Sequence, residues 1–261
     1  LNTTQIVAED GFVDAFAMDA DDEYGDELVK VRNVLAGSTD RTIFTVYKLG
    51  GYAHTMNDVG VDYKIDNPAI YSENGQDYCI RPKSFLTGDF DGDGREELAV
   101  AYATGLGFMG GTGAVALDGA RLEIYRFGDS RIDCLGSFSI GSYDLDLNSR
   151  GIELANSERL FAIDVDGDGR QEVCLVRKGG MAIYRFNRGE DGMFVMENWK
   201  TVPFPSLNDL QNYGMCFGEF NGDGIPDIAL TFNDYSNLKY GQTETVITYL
   251  GCGNGTFERK S

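Results

Sequence analysis

Histidine is nearly absent from this chain: among 261 residues only His54 is one, and Trp199 is the single tryptophan. A zinc centre built from several histidines is therefore excluded, and any Ser-His-Asp hydrolase site would have to use His54. That residue lies in the loop-like stretch Gly51-Tyr-Ala-His-Thr-Met-Asn57, which suits a surface position. Basic residues are scarce as well, 22 Lys and Arg against 42 Asp and Glu, and the net charge of −20 excludes a general nucleic-acid binder. No run approaches the ~18 apolar residues of a membrane span. The five cysteines, at 79, 134, 174, 216 and 252, show no paired spacing. A disulfide framework is not expected, and a single bridge is left open. A G-K-[ST] phosphate loop is missing. Gly105-Leu-Gly-Phe-Met-Gly110 matches G-x-G-x-x-G literally, but the glycine-rich residues after it carry no helical stripe, so a dinucleotide site is not expected.

What the chain has instead is acid in a repeated frame. Asp89-Phe-Asp-Gly-Asp-Gly-Arg-Glu-Glu97 and Asp164-Val-Asp-Gly-Asp-Gly-Arg-Gln-Glu172 share the pattern D-x-D-x-D-G-x-x-E. Glu219-Phe-Asn-Gly-Asp-Gly-Ile-Pro-Asp227 repeats it with Glu and Asn at positions one and three. A weaker copy, Asp19-Ala-Asp-Asp-Glu-Tyr-Gly-Asp-Glu27, has Tyr24 where the others have Gly. Oxygen donors at alternate positions suit a hard cation, and Ca²⁺ takes six to eight of them.

An EF-hand would need a bidentate Glu at position twelve and flanking helices. Position twelve here is Lys30, Val100, Leu175 or Leu230, and the last acid falls at position nine. The following residues form short apolar runs bounded by Gly, which reads as strand, and Pro226 opposes a helix start in the fourth loop. The expected ligands are thus Asp89, Asp91, Asp93 and Glu97; Asp164, Asp166, Asp168 and Glu172; Glu219, Asn221, Asp223 and Asp227; and Asp19, Asp21, Glu23 and Glu27. Backbone carbonyls at position seven (Arg95, Arg170, Ile225, Gly25) complete each set. Gly94, Gly169 and Gly224 at position six permit a left-handed turn. Tyr24 lacks that freedom, so three calcium sites are expected, with the first loop a weaker fourth.

The loops begin at residues 19, 89, 164 and 219, and each interval holds further strand-like runs. Thr42–Tyr47, Arg121–Phe127, Ala182–Phe186 and Thr245–Leu250 are followed by Gly-containing turns, and Asp133–Phe138 and Met193–Met196 extend the pattern. A unit of strand, acidic loop, strand, connection, strand, turn, strand, repeated at this period, predicts an all-β fold, a β-propeller of four-stranded blades. The approximate blades are 10–81, 82–157, 158–211 and 212–261. Position eleven of the unit is Val29, Ala99, Cys174 or Ala229, small or aliphatic as crowding of inner strands requires. Cys174 is expected to pack as a small hydrophobe.

The loops resemble the FG-GAP or VCBS repeats of integrin α-subunit propellers and of many secreted bacterial proteins. The resemblance rests on Gly88–Val100, Gly218–Leu230 and Tyr249-Leu-Gly-Cys-Gly-Asn-Gly-Thr-Phe257, and is weak in the first unit. It implies a calcium-stabilised propeller, usually extracellular or on the cell surface, that binds ligands or serves as an accessory module. Such propellers commonly have about seven blades. Either this is a segment of a larger propeller, with further blades or domains elsewhere in the same protein, or Thr3–Val7 supplies a strand that closes a four-bladed ring. The start at Leu1 reads as a mature or excised piece, and the N-x-[ST] sites at Asn2 and Asn254 say little. The fifteen carboxylates of the four sites repel one another without metal, so binding is expected to couple to folding.

Two functions from different classes follow. The first is a non-catalytic adhesion or recognition module with a protein or glycan partner. The second is a propeller within a secreted polysaccharide-degrading enzyme such as a lyase. A purely structural spacer is a third. Neither a basic residue poised beside a substrate cation nor a carboxylate pair in a cleft stands out, which favours binding over catalysis. The partner is expected at Tyr52, His54, Tyr143, Asp144, Tyr213 and Tyr235, in long connections placed on the face away from calcium.

Overall fold

A computed structural model of the chain describes residues 11–20, 26–36, 39–48, 60–73, 76–79, 81–82, 84–104, 107–109, 113–115, 119–140, 160–177, 180–204, 213–234 and 243–260. Among them there is no helix, hence none long and apolar enough to cross a membrane. The fold is all-β, made of four-stranded antiparallel sheets of the β-propeller blade type. The first sheet is β1 (Phe12–Met18), β2 (Glu27–Ala36), β3 (Thr39–Tyr47) and β4 (Val61–Asp66). The second is β7 (Ser84–Gly88), β8 (Glu97–Thr104), β11 (Gly119–Phe127) and β12 (Ile132–Ser139). The third is β13 (Leu160–Ile163), β14 (Glu172–Arg177), β15 (Gly180–Arg188) and β16 (Phe194–Pro203). The fourth is β17 (Tyr213–Gly218), β18 (Asp227–Asp234), β19 (Thr243–Gly251) and β20 (Phe257–Lys260). In each, an acidic loop joins the first strand to the second.

Two small hairpins interrupt the repeat: β5 (Ala69–Glu73) with β6 (Gln76–Cys79), and β9 (Gly107–Met109) with β10 (Gly113–Val115). The stretch 51–82 contains a blade strand, β4, and the hairpin of β5 and β6. It is short on continuous apolar residues because β4 buries only alternate positions, Tyr63 and Ile65. The literal G-x-G-x-x-G also resolves: Gly107–Met109 is a strand, the wrong element for a dinucleotide turn. Thr3–Val7 lies outside the described residues.

An apolar run becomes a strand where both of its faces are covered, as in β15, which is buried continuously from Gly180 to Tyr184. The chain divides into two compact units, Leu1–Thr87 with Gly94–Ala155, and Gly88–Asp93 with Asn156–Ser261. In the first unit, Met18, Val29, Val31, Phe44, Leu98, Val100, Tyr102 and Phe127 form one core. Tyr63 meets Phe127 edge-on at 4.9 Å between ring centroids. The second unit is built around Val165, Cys174, Val176, Met181, Ile183, Ile228, Leu230 and Tyr249. Each fully buried aliphatic or aromatic side chain contributes roughly 1.5–3 kcal/mol. Cys174 is fully buried, and burial pushes its thiol far above the usual range, so it packs as a hydrophobe. None of the five cysteines is bridged.

Candidate metal centres

The backbone of the second, third and fourth loops turns on two glycines in each. Gly94, Gly169 and Gly224 at position six have φ of 89°, 92° and 81°. Position four does the same, with Gly92, Gly167 and Gly222 at 79°, 76° and 85°. The sequence reading singled out only position six. A left-handed residue at both places curls the chain so that successive N–H groups point inward, where acids can meet them. Asp164 Oδ1 accepts from Gly167 N at 2.7 Å and Asp168 N at 3.2 Å, and its Oδ2 accepts from Gly169 N at 2.9 Å. Asp89 Oδ1 accepts from Gly92 N at 2.6 Å and Asp93 N at 3.1 Å. Glu219 does likewise in the fourth loop, accepting from Asn221 N at 2.9 Å and from Gly222 N.

The position-nine acids are the most buried: Glu97, Glu172 and Asp227 are fully inaccessible and Glu27 nearly so. In Glu27, Glu172 and Asp227 one oxygen holds the N–H of position two. Ala20 N donates to Glu27 at 2.9 Å, Val165 N to Glu172 at 3.1 Å and Phe220 N to Asp227 at 2.8 Å. This closes the loop across its base and explains why the acid must be at nine. In the fourth loop the other oxygen is also taken, by Gly251 N at 2.8 Å.

Two loops gather their acids. Asp89, Asp91 and Glu97 each present an oxygen within 4.8 Å of the others, and so do Asp164, Asp166 and Glu172. The position-five acids, Asp93 and Asp168, stand outside these groups. Asp168 is instead ion-paired with Arg170 at 2.7 Å, which holds its carboxyl below the usual range. The fourth loop forms no such group among the described residues, where Asn221 Nδ2 donates to Asp223 at 2.9 Å. In the first loop Asp19 and Glu27 are described, and Asp21, Glu23 and Gly25 lie outside the described residues.

The donor set fits a hard cation. Asp166 Oδ1 is buried without a hydrogen-bond partner, and so is Asp19 Oδ1. A buried carboxylate oxygen left in this state costs free energy that a cation would offset. Burial also pushes the Glu172 carboxyl up to about 7, although the Val165 N–H and Arg185 pull the other way. All side-chain donors in both groups are carboxylate oxygens, which suits Ca²⁺ and not a thiolate or imidazole metal.

Arginines that the sequence reading missed also reach these acids. Arg126 pairs with Glu97, Arg188 with Asp91 at 2.8 Å, and Arg185 with Asp166 at 2.6 Å. Neighbouring loops are stitched by position eight. Glu96 accepts from Asp19 N at 3.0 Å, and Gln171 accepts from Asp89 N at 2.6 Å while its own N–H donates to Asp89 O at 3.0 Å.

Of the residues expected at a partner site, Tyr52, His54, Tyr143, Asp144 and Tyr235 lie outside the described residues, and Tyr213 is placed only as the first residue of β17. One expectation needs correction. Tyr52 and His54 fall between β3 and β4, not between a second and third strand or between blades, because β4 begins at Val61. In an antiparallel sheet that connection belongs to the same end as the acidic loop.

Comparison with known proteins gives a family match and weak structural likenesses. No curated protein matches the chain. A lectin from Agrocybe aegerita that recognises non-reducing terminal N-acetylglucosamine aligns at 15% identity and TM-score 0.45, covering 96% of this chain and 66% of that one. The rhamnogalacturonan lyase YesW aligns at 15% identity and TM-score 0.33, covering 95% of this chain and 50% of that one. The chain thus spans less than two thirds of either protein. Residues 164–230, which hold the third and fourth acidic loops, match the FG-GAP-like repeat family. That stretch, with its two loops closed by a position-nine acid between the first and second strands of a sheet, is similar to FG-GAP repeats.

Proposed function

We propose that the chain is a calcium-stabilised, non-catalytic propeller module that recognises an extracellular protein or glycan. The observation that supports calcium most directly is Asp166 Oδ1, a buried oxygen without a partner inside a cluster of three carboxylates. In this reading Asp89, Asp91, Asp93, Glu97 and the Arg95 carbonyl hold one ion. Asp164, Asp166, Asp168, Glu172 and the Arg170 carbonyl hold a second. Glu219, Asn221, Asp223, Asp227 and the Ile225 carbonyl form a third site, and the loop from Asp19 to Glu27 a weaker fourth. The ion supplies positive charge that lets acids of one loop sit together and ties the first strand of a blade to the second. The blades run over 10–81, 82–157, 158–211 and 212–261.

Recognition is assigned to the end of each blade opposite its acidic loop. Strand order supports this, since connections from second to third strand and from blade to blade leave from that end. Tyr143, Asp144, Tyr213 and Tyr235 belong to it by chain position, and Tyr52 and His54 do not. The test is an extracellular-protein and glycan array, with a polysaccharide-cleavage assay alongside. Alanine at Tyr143, Tyr213 and Tyr235 is expected to weaken capture of the array hit while calcium affinity stays unchanged. Loss of capture only from acidic-loop substitutions, in protein that remains folded, would overturn the placement. Cleavage of a polysaccharide would overturn the non-catalytic reading.

A further inference from the structure

The third loop already contains a cation of its own. Arg185 stands on β15 one residue after Tyr184, the register partner of Val173. Its Nη2 lies 2.6 Å from Asp166 Oδ2, 3.0 Å from Glu172 Oε1 and 3.8 Å from Asp168 Oδ2. Its Nε donates to the same Glu172 oxygen at 3.0 Å. One guanidinium thus answers three of the loop's four acids. Desolvation opposes its charge, but the Asp166 and Glu172 carboxylates outweigh it and hold the group protonated.

The guanidinium is also held from its other side. Its carbon lies 3.6 Å from the centre of the Trp199 ring. Trp199 is the extra residue of a β-bulge, since β15 pairs Tyr184 with Asn198 and Ile183 with Lys200. A bulge re-aims its side chain, here onto the arginine.

The register carries the comparison to the other blades. In the second sheet Tyr125 pairs with Leu98, which puts Arg126 at the equivalent place, ion-paired with Glu97. The bulge between β11 and β12 at the same point supplies Leu135 instead of a ring. In the fourth sheet Tyr249 pairs with Ile228, and the next residue is Leu250. Arginine with a clamping ring is therefore particular to the third sheet among these three.

We propose that Arg185, clamped by Trp199, is the resident counter-ion of the third loop, and that a divalent cation enters this loop by displacing it. The arginine then keeps the acids together without metal and weakens the loop's affinity for metal. The inference rests on the calcium reading above. A metal and the guanidinium compete for Asp166 Oδ2 and Glu172 Oε1, so the metal binds with its intrinsic affinity reduced by the fraction of time the guanidinium is absent. Asp166 Oδ1 is not taken by the guanidinium and remains as a first point of contact.

Because Trp199 is the only tryptophan, it reports on this loop alone. Terbium luminescence sensitised by tryptophan, with calcium as competitor, is read on the full chain and on Arg185→Leu, which copies the fourth sheet. The variant is expected to bind calcium roughly tenfold tighter or more, because the removed contacts are charge-assisted and bidentate-capable. Its metal-free melting temperature is expected to fall, and in the wild type calcium is expected to change Trp199 emission as the guanidinium leaves the ring. If Arg185→Leu does not fold without metal, Arg185→Lys keeps the charge but not the planar fork, and an affinity between wild type and the tenfold gain supports the proposal. Wild-type calcium binding with equal or weaker binding in the variants, or with unchanged Trp199 emission, overturns the proposal and leaves the calcium reading standing. Binding by Arg185→Leu where the wild type shows none supports displacement. Calcium binding by neither protein overturns both.

Discussion

Removing the acceptor of Gln171 tests whether neighbouring acidic loops stabilise each other. Gln171 Oε1 takes the Asp89 N–H at 2.6 Å, in a part-buried position. Gln171→Leu keeps the approximate size and leaves that donor unpaired, which costs about 1–3 kcal/mol. A domain of this size loses about 2–4 °C of melting temperature per kcal/mol, so the expected fall is about 2–12 °C. Gln171→Glu keeps an acceptor, as Glu96 does at the same position one loop earlier, where it takes the Asp19 N–H at 3.0 Å. Scanning calorimetry in physiological salt, which screens the added charge, should place the Glu variant well above the Leu variant. A Leu variant melting with the wild type would refute the reasoning, as would a Glu variant as damaged as the Leu one.

Further outcomes follow from the same geometry. Asp166→Ala should lower both calcium affinity and melting temperature, and Asp21→Ala in the first loop should matter least; equal sensitivity of the two, by calorimetry, would remove the ranking based on Tyr24. Gly169 has φ of 92° and open space where a Cβ would stand, so Gly169→Ala should cost only the left-handed strain, about 1–2 kcal/mol. Gly251→Ala should cost more, because its Cβ would lie 2.4 Å from the Pro226 carbonyl oxygen, and urea unfolding that ranks the two in reverse would contradict this packing.

The loops were legible because their information is local. Nine residues contain the turn glycines, the inward acids and the closing acid, and the apolar run after each announces the second strand. Position eleven was legible for the same reason, as Cys174 shows by its complete burial. What sequence reasoning missed comes from elsewhere in the chain. Arg126 lies 29 residues from Glu97, and Arg185 lies 13 from Glu172, each brought in by the third strand. One signal was present: Ile124-Tyr-Arg-Phe127 and Ile183-Tyr-Arg-Phe186 repeat at matching places, and an arginine in an otherwise apolar strand calls for a buried anion. The position-eight contacts were hidden because Glu96, Gln171 and Pro226 share no side-chain type. β4 was hidden because a strand buried only at Tyr63 and Ile65 lacks the apolar run that marked the others. The position-four glycines were visible as residues, but Gly in a turn does not announce φ until the hydrogen bonds to Asp89 and Asp164 are known.

Calorimetric titration of metal-free protein with Ca²⁺, beside Mg²⁺ and Zn²⁺, tests the central claim most directly. Calcium should bind with a Kd of ~10⁻⁴–10⁻³ M, the range of extracellular modules, and raise the melting temperature by several degrees at saturating concentration. Magnesium should bind more weakly, since the loops offer more oxygens than a small octahedral ion takes. Tight zinc binding with no heat from calcium, or a melting temperature indifferent to calcium, would contradict the account.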